Sequence, residues 1–173
     1  MINKINRIIT ILFFIIAVVA VMFFLNGMTI HTIAENNIEN HFLNAIAQKG
    51  ITEGNITEEF NYSNSKTIFF ENEKGEQAVA TYIKSLYFNQ WKQYYFLQLY
   101  AEQNKQYNDN DIVIDDHIFQ YNMKYQLNEK GKLFVTPVEQ IKPLLAIRLF
   151  GIGVVIVAAV IGRIVGIYMQ RKR

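Results

Sequence analysis

Carboxylates are densest in one stretch of the chain, where Asp109, Asp111, Asp115 and Asp116 are interleaved with Asn108 and Asn110 and closed by His117. Hard oxygen donors at this density form the kind of ligand set that Ca²⁺ takes. The stretch lacks the mid-loop glycine and distal glutamate of an EF-hand, so a solvated acidic loop is the simpler expectation and calcium the ion to try. The histidines are His31, His41 and His117. No two have the i, i+4 spacing that turns a pair of imidazoles toward one zinc ion on a helix face. Cysteine is absent, which removes disulfides, thiolate metal sites and thiol nucleophiles. No nucleophile elbow, phosphate-binding glycine loop or dinucleotide fingerprint occurs, and no Asp/Glu pair stands out as an acid/base couple. The sequence therefore predicts a protein that is not an enzyme and carries no cofactor.

Two further constellations suit binding better than reaction. Leu86 to Tyr100 holds Tyr87, Trp91, Tyr94 and Tyr95 among other aromatics. They read first as sheet core, and second as an exposed patch for a partner, peptide or glycan. Near the C-terminus Ala158, Gly162 and Gly166 recur every four residues, which places them on one helix stripe. Small residues at this spacing let a second helix approach closely in lipid. The stripe is expected to pack on another integral membrane protein or on a second copy, with the chain's own first helix as the alternative.

These residues need elements to position them, and the strongest elements are apolar. Ile8 to Leu25 has Thr10 as its only polar side chain and covers about 27 Å as a helix, close to the hydrocarbon thickness of a bilayer. No small-residue cleavage site follows it, so an uncleaved anchor is expected rather than a signal peptide. A second apolar segment runs from Leu144 to Tyr168. Arg148 and Arg163 interrupt it, and both are expected to snorkel to headgroups on their own sides.

Charge is segregated to match. All 15 Asp and Glu residues lie between Glu35 and Glu139, where there are nine Lys and no Arg, a local formal charge of 9 − 15 = −6. The basic residues outside those limits include Lys4 and Arg7 before the first span, and Arg171, Lys172 and Arg173 after the second. The positive-inside rule then predicts both termini in the cytoplasm and the acidic middle outside. The basic pI belongs to the ends, so nucleic acid is not an expected partner. Richness in Ile, Asn, Lys, Phe and Tyr suggests an AT-rich bacterial genome. The organisation that follows is a tail over 1–7, a first transmembrane helix over 8–30, an extracytoplasmic domain over 31–141, a second transmembrane helix over 142–168, and a tail over 169–173.

Within the middle domain, Ile38, Phe42, Ala45 and Ile46 form an apolar helical stripe that Gly50 ends. Thr32 and Glu35 have the spacing of a capping box. The tetrapeptide Asn-Glu-Lys-Gly occurs at Asn72–Gly75 and again at Asn128–Gly131, each time between strand-like runs. A glycine closing a polar turn supplies positive φ, so two β-hairpins are predicted. Val79, Tyr82, Ile83 and Leu86 also fit a helical face, as do Tyr87, Trp91 and Tyr95, but aromatic and β-branched enrichment favours strands through Leu86 to Tyr100, with a turn at Asn89-Gln90. The fold class expected is a membrane protein with two transmembrane helices flanking an α+β domain, one helix on an antiparallel meander of about five strands.

Topology narrows function without naming it. Short tails leave no output module, so the domain must act outside or through another membrane protein. The expected reading is a non-enzymatic accessory or regulatory subunit of a cell-membrane complex. A stand-alone binder, such as an immunity-type protein against a secreted toxin or peptide, and a ligand sensor acting through a partner are the alternatives.

Overall fold

The computed structural model describes residues 2–51, 53–100 and 110–171. Helix α1 (Ile2–Leu25) opens the chain and helix α3 (Leu144–Arg171) closes it. Each contains a window long and apolar enough to cross a membrane, Arg7–Leu25 with mean hydropathy 3.3 and Leu144–Met169 with 2.7. Their apolar side chains are almost entirely exposed. Helices apolar all round are stable when something other than water surrounds them.

Helix α1 does not run on into the domain. It stops at Leu25 in a Schellman arrangement, with the N–H of Met28 donating to the Phe23 carbonyl at 2.9 Å and that of Gly27 to Phe24 at 3.1 Å. Gly27 takes the left-handed conformation this stop requires, φ +67°.

Between the helices lie strand β1 (Ile33–Ala34), a 3₁₀ turn (Glu35–Asn37), helix α2 (Ile38–Ala47) and strands β2 (Gly54–Tyr62), β3 (Ser65–Asn72), β4 (Gln77–Lys84), β5 (Gln90–Leu99), β6 (Asn110–Asp115), β7 (Gln120–Leu127) and β8 (Leu133–Lys142). They form three layers. An antiparallel five-stranded sheet, in order β1-β5-β4-β3-β2, is covered on one face by α2 and on the other by a three-stranded sheet, β6-β7-β8. The first core joins Ile38, Phe42 and Ile46 of α2 to Ile68, Phe70, Ala80, Tyr82 and Trp91. The second joins Phe69, Val79 and Ile83 to Ile114, Tyr121, Met123 and Tyr125. Strand β4 is therefore buried on both faces, which explains its unbroken apolar run from Ala78 to Ala80 and the need to satisfy Thr81. The Thr81 hydroxyl does so between Thr67 Oγ1 at 2.8 Å and the Tyr125 hydroxyl at 2.7 Å.

Both Asn-Glu-Lys-Gly segments are hairpin turns of the same construction. Asn72 Oδ1 accepts the N–H groups of Lys74 and Glu76, and Asn128 Oδ1 accepts those of Lys130 and Lys132, all at 2.9–3.0 Å. Gly75 and Gly131 close the turns at φ +77° and +73°. Gln77 then ties the two together: its Nε2 donates to the Gly131 carbonyl and its Oε1 accepts the Leu133 N–H.

The domain differs from the expected single meander in four respects. The sheet is split in two, because Asn110–Asp115 is strand β6 rather than part of an acidic loop. Ile112 and Ile114 alternate with Asp111, Val113 and Asp115, and burial of Ile114 wins over the carboxylate density. Gly54–Tyr62 is a strand that was not anticipated, and a register shift between Ile56 and Glu58 obscures its alternation. The turn into β5 spans residues 85–89, ahead of the Asn89-Gln90 position expected. Thr32 and Glu35 make no capping box: α2 begins after Asn37, which makes no side-chain cap, and the Thr32 N–H instead donates to the Trp91 carbonyl.

Candidate functional site at the helix–domain junction

The chain's polar chemistry converges where both long helices meet the β domain. Asn26 follows the last residue of α1. Its Oδ1 accepts the Leu86 N–H at 2.9 Å, and its Nδ2 faces His31 Nδ1 at 3.0 Å. His31 Nε2 lies 3.0 Å from His117 Nε2. Both imidazoles are buried. The backbone N–H of His117 donates to Asp115 Oδ1 at 3.0 Å, and Asp115 Oδ2 receives Arg148 Nη2 at 2.9 Å. Arg148, one turn into α3, also donates from Nη1 to the Leu25 carbonyl at 3.0 Å and to the His117 carbonyl at 3.5 Å. One guanidinium thus binds the end of α1, the start of α3 and the turn after β6. Its planar fork of donors suits that task, which a single ammonium cannot perform.

The chain of contacts fixes where the protons are. Because Asn26 Oδ1 is committed to Leu86, its Nδ2 must donate, and His31 Nδ1 must accept. His31 then carries its proton on Nε2 and donates it to His117 Nε2. His117 is left with its proton on Nδ1, a buried atom without a hydrogen-bond partner, 3.7 Å from Asp115 Oδ1. Burial lowers the His31 pKa from 6.5 to about 4, with the neighbouring His117 ring and Lys92 acting in the same direction and a hydrogen bond to the Thr29 backbone acting against them. For Asp115, burial acts to raise the pKa, but the nearby His117 ring, the hydrogen bond from the His117 backbone N–H and the Arg148 charge outweigh it and leave the carboxyl below its ordinary value.

Local backbone geometry serves this contact. His117 itself is left-handed, φ +75°, a conformation that costs a non-glycine residue about 1–2 kcal/mol. Asp116, fully buried, holds it there. Its Oδ1 accepts the N–H groups of Ile118 and Phe119 at 2.9 and 2.7 Å, and its Oδ2 accepts the Asn64 N–H at 3.0 Å. Gly27 lets the histidine in, since a Cβ there would stand 2.8 Å from His117 Nδ1.

The residues singled out from the sequence are distributed unevenly around this junction. Asp115 and Arg148 are brought together, Asp115 engaged by an ion pair and Asp116 by backbone amides. Asp111 lies on β6, and Asp109 is outside the described residues. Among the described residues no group of three or more His, Asp or Glu side chains is arranged to hold a metal. Of the aromatics, Trp91 is in the α2-side core, and Tyr95 packs against the other core with its ring 4.7 Å from that of Tyr125. Tyr87 and Tyr94 are exposed, the latter donating its hydroxyl to the Val113 carbonyl. Ala158 and Gly162 lie bare on α3, beside a shallow apolar groove of about 470 Å³ lined by Phe150, Val154, Val157 and Ile161. Gly166 continues the α3 stripe. Arg7 and Arg163 are exposed on their helices, Arg171 ends α3, and Lys172 and Arg173 lie outside the described residues.

Sequence reasoning missed Asn26 and the role of His31, and weighed His117 only as a neighbour of the carboxylate cluster. A signal was present on one side only: Asn26-Gly27 follows an apolar span directly and His31 lies five residues on, whereas His117 sits in the turn between β6 and β7. Spacing could not pair histidines 86 residues apart. No protein-family model matches the chain, and no curated protein or solved structure matches it.

Proposed function

We propose that this chain is a non-enzymatic accessory or regulatory subunit of a membrane complex, with both long helices crossing the bilayer, both termini cytoplasmic and the β domain outside. The observation that carries the reading is the Arg148 bridge. A domain that is merely tethered needs only a flexible linker, whereas this one is held to both helices by partly buried polar contacts. Displacement of the domain by something bound outside would be passed to α1 and α3 together, a useful property in a subunit that acts through a neighbour.

The bare face of α3 supports the same reading. A Cβ at Gly162 would meet nothing within 4 Å, so the close approach that glycine permits is unused among the described residues. An intermolecular helix is its natural occupant. The test is affinity capture of the full chain from mildly solubilised membranes, beside its Gly162→Leu variant. The variant should keep the wild-type melting temperature and lose the captured membrane partner. Retention of the same partner by Gly162→Leu would remove α3 as the docking face.

A further inference from the structure

The connection between β4 and β5, residues 85–89, ends in two exposed aromatics, Tyr87 and Phe88, that the junction does not use. They form one wall of a groove of about 260 Å³ whose other wall comes from Val19, Met22 and Phe23 of α1, with Ile30 at its rim. We infer that this connection is seated in the outer headgroup and upper acyl region of the bilayer, and that an acyl chain of a membrane phospholipid occupies the groove. The inference rests on α1 being a membrane span, as proposed above.

Depth is the first argument. Val19 precedes Leu25 by six residues, about 9 Å along a helix. A groove shared between Val19 and Phe88 therefore reaches down beside the last two turns of the apolar window, its upper part lined by residues that follow Leu25. If α1 is in lipid, that wall of the groove is at the level where aromatic side chains concentrate in membrane proteins. Tyrosine suits this level, with its ring in apolar surroundings and its hydroxyl toward water.

Exposure is the second argument. Phe88 is 60% exposed, Met28 61% and Ile30 73%, and they surround the same end of the domain. The two tight Asn-Glu-Lys-Gly turns, by contrast, are made of polar side chains and glycine. Large apolar side chains gathered at one end of a domain mark a contact surface. Here that surface is continuous with the exposed apolar side chains of α1.

Order is the third argument. The connection is held rather than loose: Asn26 Oδ1 receives the Leu86 N–H, and Ser85 Oγ accepts the N–H groups of Tyr87 and Phe88 at 3.3 Å. The polar atoms at the base of the groove, those of Asn26, His31 and Ser85, already have partners. Gln90 and the Tyr87 hydroxyl add polar groups to a lining that is mostly apolar surface, which matches a hydrocarbon chain better than a soluble ligand.

The absence of cysteine makes site-specific labelling direct. An environment-sensitive fluorophore would be placed by Phe88→Cys, and independently by Ile30→Cys, in the full chain reconstituted into phosphatidylcholine vesicles. Phe14→Cys marks the middle of α1 and Lys130→Cys the far turn. Lipids bearing a nitroxide high on the acyl chain should quench positions 88 and 30 strongly and leave position 130 bright, while aqueous iodide should do the reverse. Iodide quenching at 88 and 30 equal to that at 130 overturns the proposal while leaving the span intact, provided position 14 stays shielded. Shielding of 88 and 30 from both quenchers overturns it in favour of a contact between copies of the chain. Iodide access at position 14 would remove the span reading itself, and this proposal with it.

Discussion

His31 and His117 face each other Nε2 to Nε2 at 3.0 Å, so one ring must donate and the other accept. The commitment of Asn26 to Leu86 makes His31 the donor. A second proton on the His31 ring would have to sit at Nδ1, against the Asn26 amide hydrogens. The groups facing the pair are Asp115, Arg148 and Lys92. Only Asp115 would welcome a further positive charge, and it is already paired with Arg148.

This geometry gives a pH dependence with a definite sign. His31 has a lowered folded-state pKa, about 4 against 6.5 when free, so between these values the unfolded chain binds more protons. Stability is then fully present above about pH 6.5 and falls as the pH drops toward 4, by no more than about 3 kcal/mol from this group. Asp115 acts lower. Its carboxyl is depressed below 3.8, so its contribution is present above that value and lost only as the pH falls further. Thermal unfolding of the detergent-solubilised chain should show a first loss of stability between pH 6.5 and 4. His31→Asn should be less stable at pH 7 and nearly flat across that window. A wild-type melting temperature constant from pH 7 to pH 4.5 would mean that His31 is not held neutral by this contact.

Arg148 is predicted to be irreplaceable by lysine. Lysine keeps the charge but cannot reach Asp115 and the Leu25 carbonyl from two separate nitrogens at once. Hydrogen bonds to charged groups are worth about 1.5–3 kcal/mol each, so Arg148→Lys should cost about 2 kcal/mol and Arg148→Ala somewhat more. A double-mutant cycle with Asp115→Asn should show positive coupling, because the two side chains are 2.9 Å apart. Additive effects in that cycle would mean the pair is ornamental.

Much of this architecture was legible in the sequence, and the rest was hidden for identifiable reasons. The apolar windows of α1 and α3, the stripe Ile38, Phe42 and Ile46, and both Asn-Glu-Lys-Gly turns follow from local composition and period, which a linear reading captures. Strand β6 was hidden because its alternation rests on Ile112 and Ile114 within a crowd of carboxylates. Trp91 and Tyr95 looked like one patch, but a register shift between Thr81 and Tyr82 opposite β5 accompanies their separation into two cores. The junction was least legible. Its contacts join residues 26, 31, 117 and 148, and nothing local to any of them specifies the others.

Gly27 offers a test of how tightly the junction is packed. Gly27→Ala meets two penalties, a left-handed backbone and a Cβ 2.8 Å from the buried His117 ring. Gly50, also left-handed at φ +87°, has nothing within 4 Å of a Cβ. Gly50→Ala should therefore cost only the conformational penalty, about 1 kcal/mol, and Gly27→Ala clearly more. The Gly27 variant should also shift the acid limb of the stability profile, which Gly50→Ala should leave alone. Equal losses at the two sites would show that the His117 ring moves aside freely.

Gln77 makes the corresponding prediction for the far end of the domain. Its amide clamps the second hairpin to the first, donating to Gly131 and accepting from Leu133, and it is buried. Gln77→Glu keeps the size and the acceptor but turns a carboxylate oxygen toward the Gly131 carbonyl. A buried charge facing an acceptor costs more than a lost hydrogen bond. Gln77→Leu instead leaves the Leu133 N–H and the Gly131 carbonyl unpaired, at about 1–3 kcal/mol. Melting at pH 7 should therefore rank wild type above Gln77→Leu and Gln77→Leu above Gln77→Glu. The glutamate variant should recover as the pH falls and its carboxyl regains a proton to donate, in a range where wild type is losing stability through His31. Opposite slopes with pH in the two proteins would separate the clamp from the junction; parallel slopes would show that the clamp carries no such charge penalty.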